Sequence, residues 1–176
     1  MLEISDENIR LRPYQNQDVA ELVRAARESV GTVGLWLPWC HNEYSEDDAK
    51  SWINNCQINI ENDIAYDIAI FSVKEGILIG GISINQIDKR NKIGNIGYWI
   101  RKTYQNRGYA TGAVKLIKEI GFNTLKLNRL EIVILENNIG SRRVAEKSGA
   151  TFECIARNRL VHNGKAMPAA VYSLIP

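Results

Sequence analysis

The residues best suited to chemistry are Gln105-Asn106-Arg107-Gly108-Tyr109-Ala110-Thr111, which directly follow Ile96-Gly97-Tyr98-Trp99-Ile100-Arg101-Lys102-Thr103-Tyr104. The order reads as strand, polar turn and helix start. A helix N-terminus presents backbone N–H groups that no preceding carbonyl has used, and the macrodipole adds partial positive charge there. Gly108 has no side chain, so an anion can come close to the backbone, and Ala110 keeps the helix start narrow. The chemistry implied is phosphate binding. Two common nucleotide loops are excluded, because the chain has neither Gly, four residues, Gly-Lys-Ser/Thr nor Gly-x-Gly-x-x-Gly at this place. Arg101, Lys102 and Arg107 can add charge, although each reads individually as a solvated basic residue.

The elements that must hold this turn are legible in the apolar periodicity. Ile9 to Arg12 alternates as a short strand stopped by Pro13, and Asp18 to Val30 carries apolar residues at helical spacing. Ser45-Glu46-Asp47-Asp48 reads as a helix cap with an acidic first turn, leading a helix whose face is Ala49, Trp52, Ile53, Cys56 and Ile60. Ile64–Val73 and Ile77–Ile84 are strands around Glu75-Gly76, and Asn95–Ile100 is the strand that enters the turn. A third helix follows from Ala110 to Leu125, then a strand from Leu130 to Leu135 and a short helix from Ser141 to Ser148 ended by Gly149. Phe152–Val161 and Ala166–Leu174 flank Asn163-Gly164, a strong hairpin signal. The expected fold is mixed α/β: a single domain over 1–176 with a mostly antiparallel sheet flanked by helices.

Composition sets the bounds. A chain of 176 residues is long enough for a substantial core, and 45% hydrophobic with 24% charged residues is ordinary for a soluble globular protein. A net charge of +2 gives no general push toward nucleic acid or membrane. Cys40, Cys56 and Cys154 are odd in number, lack paired-ligand spacing and read as reduced thiols, which points to the cytoplasm. The charged, alternating N-terminus does not read as a signal peptide, and no run reaches membrane-span length. His41 and His162 have no ligand set around them, so no metal is expected.

The pattern Gln105-x-x-Gly108-x-Ala110 resembles the acetyl-CoA loop of the GCN5-related N-acetyltransferases (GNAT). Downstream, Asn137-Asn138-Ile139-Gly140-Ser141-Arg142-Arg143-Val144-Ala145 and Gly149-Ala150-Thr151-Phe152-Glu153 are similar to the branch that acetylates ribosomal-protein N-termini at alanine or serine. Two departures stand out: Ala150 where Phe is usual, and Cys154 where Gly is usual. The resemblance implies acetyl-CoA as cosubstrate. The backbone of Gln105 to Thr111 faces its pyrophosphate, the strand through Tyr98, Trp99 and Ile100 pairs with the pantetheine arm, and Asn138 and Ser141 lie near the sulfur. The side chains of Tyr98 and Trp99 read as core aromatics.

The implied reaction moves an acetyl group from a thioester directly to an unprotonated amine. A free α-amine has a pKa of about 7.7–8.0 against about 10.4 for lysine, so an N-terminal amine needs only a modest base. By the resemblance Glu153 is that base and Ser141 the acid that protonates the thiolate, since Val144-Ala145 replaces the Leu-Tyr pair whose tyrosine is the acid elsewhere in the family. The plainer alternatives are an ion-paired strand carboxylate for Glu153 and, for Asn138 and Ser141, a cap and a first-turn residue. The resemblance places the loop with Trp36 and Trp39 over the acceptor pocket, with Glu43 and Tyr44 as candidate polar contacts to an ammonium; the plainer alternative is that the two tryptophans plug the loop between the first two helices. The acceptor is expected to be a protein N-terminus, such as that of a ribosomal protein. The alternatives are a small amine (polyamine, amino acid or antibiotic) or a non-catalytic acetyl-CoA-binding regulatory module. No direct nucleic-acid or membrane partner is expected, and a homodimer is left open.

Overall fold

The computed structural model describes residues 2–176; Met1, the first residue of the expected domain, lies outside them. Among the described residues eight strands form one sheet: β1 (Ile4–Ser5), β2 (Ile9–Pro13), β3 (Tyr66–Ser72), β4 (Leu78–Asp88), β5 (Ile93–Ile100), β6 (Arg129–Leu135), β7 (Thr151–His162) and β8 (Lys165–Leu174). Their order is β1-β2-β3-β4-β5-β6-β8-β7, and every neighbouring pair is antiparallel except β5 with β6. Helices α1 (Val19–Glu28) and α2 (Glu46–Glu61) cover one face, and α3 (Tyr109–Glu119) and α4 (Ile139–Lys147) the other. The mixed α/β architecture is the expected one. The two-residue β1 and the π-helical turn Ile120–Thr124 after α3 carry no periodicity that a sequence reading can catch.

The alternation along each strand sorts the core into two layers. Ile68, Ile70, Ile79, Ile84, Ile96, Ile132 and Tyr172 pack beneath α3 and α4. Leu22, Ala26, Ile53, Cys56, Ala69, Phe71 and Leu78 form the layer under α1 and α2. Local chemistry fixes the ends of the elements. Asp48 accepts from the Ser45 backbone N–H (2.8 Å) while Asp48 N–H donates to Ser45 Oγ (3.2 Å), a reciprocal cap for α2. Asn163 and Gly164 both have positive φ (49° and 73°), as the tight β7–β8 hairpin requires.

One buried ion pair ties β2 to the start of α1 and so sets how α1 lies over the sheet. Both Arg12 guanidinium nitrogens donate to the two Asp18 oxygens at 2.8 Å, and Gln15 N–H donates to the same carboxylate at 2.8 Å. The guanidinium lies 4.0 Å from the Phe71 ring centre. Removing one partner leaves the other charge buried and alone. Asp18→Ala is therefore expected to destabilise the fold by about 3–5 kcal/mol, read as a lower urea midpoint at unchanged slope; a change within about 0.5 kcal/mol contradicts it.

Candidate active site

The sheet parts where β5 leaves β6. Their parallel pairing stops after Ile93↔Arg129, Gly94↔Leu130 and Asn95↔Glu131, whereas β5 stays paired with β4 to Ile100 and β6 stays paired with β8 to Leu135. From Ile96 onward one edge of β5 faces a wedge with backbone groups open to a ligand. The Tyr98 side chain spans this wedge: its hydroxyl donates to the Ser141 carbonyl (2.8 Å) and accepts from Ser141 Oγ (3.0 Å). Burial raises the Tyr98 pKa, so the phenol stays protonated at neutral pH. Asn138 Oδ1 accepts from Ser141 N–H (3.2 Å) and caps α4.

At the end of β5 the chain turns into α3. Gly108 sits in the left-handed region (φ 84°) and open space surrounds the position of a Cβ there. Tyr109, Ala110 and Thr111 form the first turn of α3, and among the described residues their N–H groups have no backbone partner outside it. Asn106 also has positive φ (61°), and Arg107 lies over the Tyr104 ring (5.1 Å). The Gln105 side chain does not face outward: its amide donates to the Ile100 carbonyl (2.9 Å) and to Thr32 Oγ1 (3.2 Å), bracing the turn. Arg101 is not the solvated residue expected from sequence. It pairs with Glu28 (2.7 Å) and Glu21 (3.5 Å), and Thr103 and Lys102 N–H groups also dock on the end of α1 through Glu28 and Ser29. An anion at the α3 N-terminus is thus met by backbone N–H groups.

On the α1/α2 face a cavity of about 520 Å³ opens beside the wedge, walled by Leu22, Leu37, Trp39, Tyr44, Trp52 and Trp99. Trp39 packs edge-on against Trp99 (centroids 5.3 Å) and Tyr44 (5.6 Å). Tyr98 packs against the α3/α4 layer and Trp99 against the α1/α2 layer, as expected of core aromatics, and both also border the cavity. The floor holds small residues: a Cβ at Gly81 would fall on the Tyr14 hydroxyl and the Trp99 indole nitrogen. Across the floor, Asp67, Ser83 and Gly97 lie side by side on β3, β4 and β5. Burial pushes the Asp67 carboxyl up to about 6, partly offset by the Asn59 side chain. Asp48, at the rim, is held low by its Ser45 hydrogen bonds, and His41 stands beside it.

Three residues expected from sequence to serve the acceptor lie elsewhere. Of the described residues lining the cavity, none is Trp36, Glu43 or Glu153. Trp36 stacks near His162 of the β7–β8 hairpin (6.4 Å), and Glu43 is exposed. Glu153 is clamped by Arg129 (2.7 and 2.5 Å) and accepts from Ser173 Oγ (2.7 Å), contacts that pull its carboxyl down to about 2. A carboxylate so well satisfied has little tendency to take a proton from an amine. Sequence reasoning passed over Asp67. The signal was present, since Asp67 is the one charge in the apolar run Ile64 to Val73. Cys154 is exposed on β7, and Cys40 and Cys56 are buried, all three as free thiols. Among the described residues no group of three or more His, Cys, Asp or Glu side chains could hold a metal ion, and no helix is long and apolar enough to cross a membrane.

Comparison with known proteins fits this geometry. The model of the acetyltransferase (GNAT) domain matches residues 8–151. The ribosomal-protein-serine acetyltransferase of Escherichia coli (strain K12) is 30% identical over 147 residues, covering 84% of this chain and 81% of that one. YdaF of Bacillus subtilis (strain 168), named as a candidate ribosomal N-acetyltransferase, is 30% identical over 177 residues, covering 97% and 92%. The crystal structure of the microcin C7 self-immunity acetyltransferase MccE in complex with acetyl-CoA and AMP superposes with a TM-score of 0.90 over 97% of this chain and 94% of that one. At 23% identity that likeness is one of fold. The chain belongs to the GNAT acetyltransferase family: it is an N-acetyltransferase, of the family whose acetyl donor is acetyl-CoA.

The ion pair at Glu153 has a consequence in acid. A carboxylate whose folded pKa (about 2) lies below its ordinary value of 4.5 adds stability above pH 4.5, and that stability is lost as pH falls toward 2. Glu153→Gln should therefore unfold at higher pH than the wild type in an acid titration. It should also leave the pH profile of acetyl transfer unchanged above pH 6. A shifted activity profile would restore Glu153 as the base.

Proposed function

We propose that this N-acetyltransferase acetylates the α-amine of a protein N-terminus, with a ribosomal protein as the leading candidate, and that Asp67 is its base. The observation that carries the reading is the buried Asp67 carboxyl on the cavity floor, raised to about 6. Proton transfer from an α-ammonium of pKa about 7.7–8.0 to such a base is uphill by about 2 units, roughly 3 kcal/mol, whereas from lysine (about 10.4) it is uphill by more than 4 units, roughly 6 kcal/mol. The base is matched to an α-amine. The names of the Escherichia coli and Bacillus subtilis relatives support the same acceptor class.

The residues fit the donor. The N–H groups of Tyr109, Ala110 and Thr111, reached past Gly108, hold the pyrophosphate, and the free edge of β5 from Gly97 to Ile100 takes the pantetheine amides. Bound acetyl-CoA supplies an acetyl group activated as a thioester. The amine enters between the Trp39–Trp99 wall and the Asp67–Ser83–Gly97 row. Two strand spacings, about 10 Å, separate the Asp67 backbone from that of Gly97, which leaves room for the amine between carboxylate and wedge. Asp67 takes one proton from the α-ammonium; as the neutral amine forms the C–N bond and the C–S bond breaks, its second proton passes to Ser141 Oγ, which is aligned by Tyr98 and gives its own proton to the departing thiolate, leaving amide, thiol and protonated Asp67. A small amine is the second reading, favoured by a cavity volume within the roughly 300–1,000 Å³ range of small-ligand sites.

The Asp67 carboxylate must be ionised to act, so kcat/KM should rise with pH through an inflection near 6, ahead of the rise from amine deprotonation. Asp67→Asn should lower kcat/KM on a free-N-terminus peptide by about 10²–10⁴-fold and erase that inflection. It should also stabilise the fold at pH 7.5: a carboxyl raised above its ordinary 3.8 costs stability as pH climbs from about 4 through 6. Wild-type kinetics in Asp67→Asn would remove the base. Ser141→Ala should lower kcat with little change in acetyl-CoA affinity, and unchanged turnover would remove the acid. Peptides with blocked N-termini should not be acetylated; acetylation of spermidine alone would favour the small-amine reading.

A further inference from the structure

From Ser83 the floor of the cavity carries a second line of polar residues, to which the reaction above assigns no proton transfer. Ser83 and Asn85 point into the cavity from β4, and Asn95 sits behind Asn85 on β5, as its direct cross-strand partner. The three form a track: Asn95 Nδ2 donates to Asn85 Oδ1 (2.9 Å), and Asn85 Nδ2 donates to Ser83 Oγ (2.9 Å). Among the described residues Asn95 Oδ1 is the one buried side-chain polar atom without a hydrogen-bond partner. A buried orphan acceptor is costly, and native proteins keep one where a ligand or an ordered water completes it. The regular β4–β5 register also ends here, with an irregularity between Asn85 and Asp88 and positive φ at Gln86 (49°). The backbone thus bends immediately after placing Asn85.

We propose that Ser83, Asn85 and Asn95 form a subsite that reads the secondary amide next to the acceptor's amine. This rests on the reading of the acceptor as a peptide N-terminus. The track is neutral, so it offers hydrogen bonds without a counter-charge for a second ammonium. It can run in either direction, because flipping both side-chain amides reverses every bond within it. It can therefore present a donor, an acceptor or both to the cavity. A peptide group carries one of each in fixed geometry, whereas the amines of a polyamine chain offer only donors once protonated. The spacing also fits. Asn85 lies two residues along β4 from Ser83, about 7 Å. Consecutive Cα atoms are about 3.8 Å apart, so an amine held beside Asp67 and Ser83 sets its first peptide group about midway along that step, between the Ser83 and Asn85 side chains. Asn85 and Ser83 are the contact residues, and Asn95 is a positioning residue that orients Asn85.

The test compares two acceptors that differ only at the first peptide bond: an alanine-initiated peptide and its trans-alkene isostere, which keeps the shape and the α-amine but has no N–H or C=O. Wild-type kcat/KM should be about ten-fold to hundred-fold higher on the peptide. Asn85→Leu should bring the two acceptors to within about three-fold of each other while acetyl-CoA affinity is unchanged. Asn95→Ala should narrow the gap less. Asn85→Ala serves as a second variant should Asn85→Leu fail to fold, and it should narrow the gap like Asn85→Leu. A gap that stays at the wild-type value in every folded variant overturns the subsite. A wild type that treats the two acceptors alike overturns it also, and leaves the N-terminal acceptor standing. A wild type that acetylates neither peptide nor isostere but does acetylate a small amine overturns the acceptor reading and the subsite with it.

Discussion

The parting of β5 from β6 is the constraint on which the rest of this molecule depends. One parallel pair in an otherwise antiparallel sheet needs a crossover, and α3 supplies it. The crossover begins at the end of β5, so the helix N-terminus that can hold an anion stands beside the strand edge left free. The pairing then stops after Asn95↔Glu131. Had it run on to Ile100, β5 would have no backbone to offer a ligand. The Tyr98–Ser141 hydrogen bonds cross the gap and fix its width, joining the strand to the first turn of α4. The same side-chain contact braces the wedge and delivers a hydroxyl to it.

Around that wedge the protein tolerates arrangements that cost stability. Among the described residues Asp67 is buried without a cationic partner, in contrast to Asp18, which has Arg12, and Glu153, which has Arg129. Its desolvation is opposed only by Asn59, and its negative charge also raises the pKa values of Tyr14 and Cys56 nearby. The orphaned Asn95 Oδ1 adds to the same account. Both features lie on one patch of the β3–β4–β5 face, beneath a cavity whose aromatic walls are packed on each other. A fold shaped for stability alone would fill this floor with apolar side chains, as the opposite face of the same strands does with Ile68, Ile82, Ile84 and Ile96. Cost concentrated at one place beside a cavity is the physical signature of a site.

The sequence made the local parts of this arrangement legible. The turn Gln105 to Thr111, the Ser45 cap, the Asn163-Gly164 hairpin and the strand and helix periods each depend on residues a few positions apart, and each lies where its pattern places it. Roles that depend on distant partners were harder to read. The ion pair that occupies Glu153 is made by Arg129, 24 positions away, and the braces on Gln105 and Arg101 come from Thr32 and Glu28. Trp36 and Trp39 look equivalent in a loop, yet one meets the β7–β8 hairpin and the other the cavity, a division set by tertiary packing alone. Asp67 was passed over because a single acid in an apolar strand lacks a motif. Its meaning comes from cross-strand neighbours contributed by β4 and β5.

On the proposed reading, those neighbours decide what kind of acceptor the floor can recognise. The Asp67–Ser83–Gly97 row runs across the strands, so it measures distance from the wedge. The Ser83–Asn85 step runs along β4, so it measures distance along the acceptor. An amine brought to the wedge between them is located in two directions by one rigid sheet, with no loop needed to set the spacing. Strand geometry allows little slack, since a one-residue slip in β4 would turn both Ser83 and Asn85 to the opposite face. The β4–β5 register pins them through Ser83↔Gly97 and Asn85↔Asn95, and the irregularity that follows lies beyond the last of these pairs. Asp67 and Asn85 are thereby placed by one and the same sheet. The sheet that buries the carboxylate, and so raises its pKa, is the same sheet that holds the amide track at a fixed distance from it.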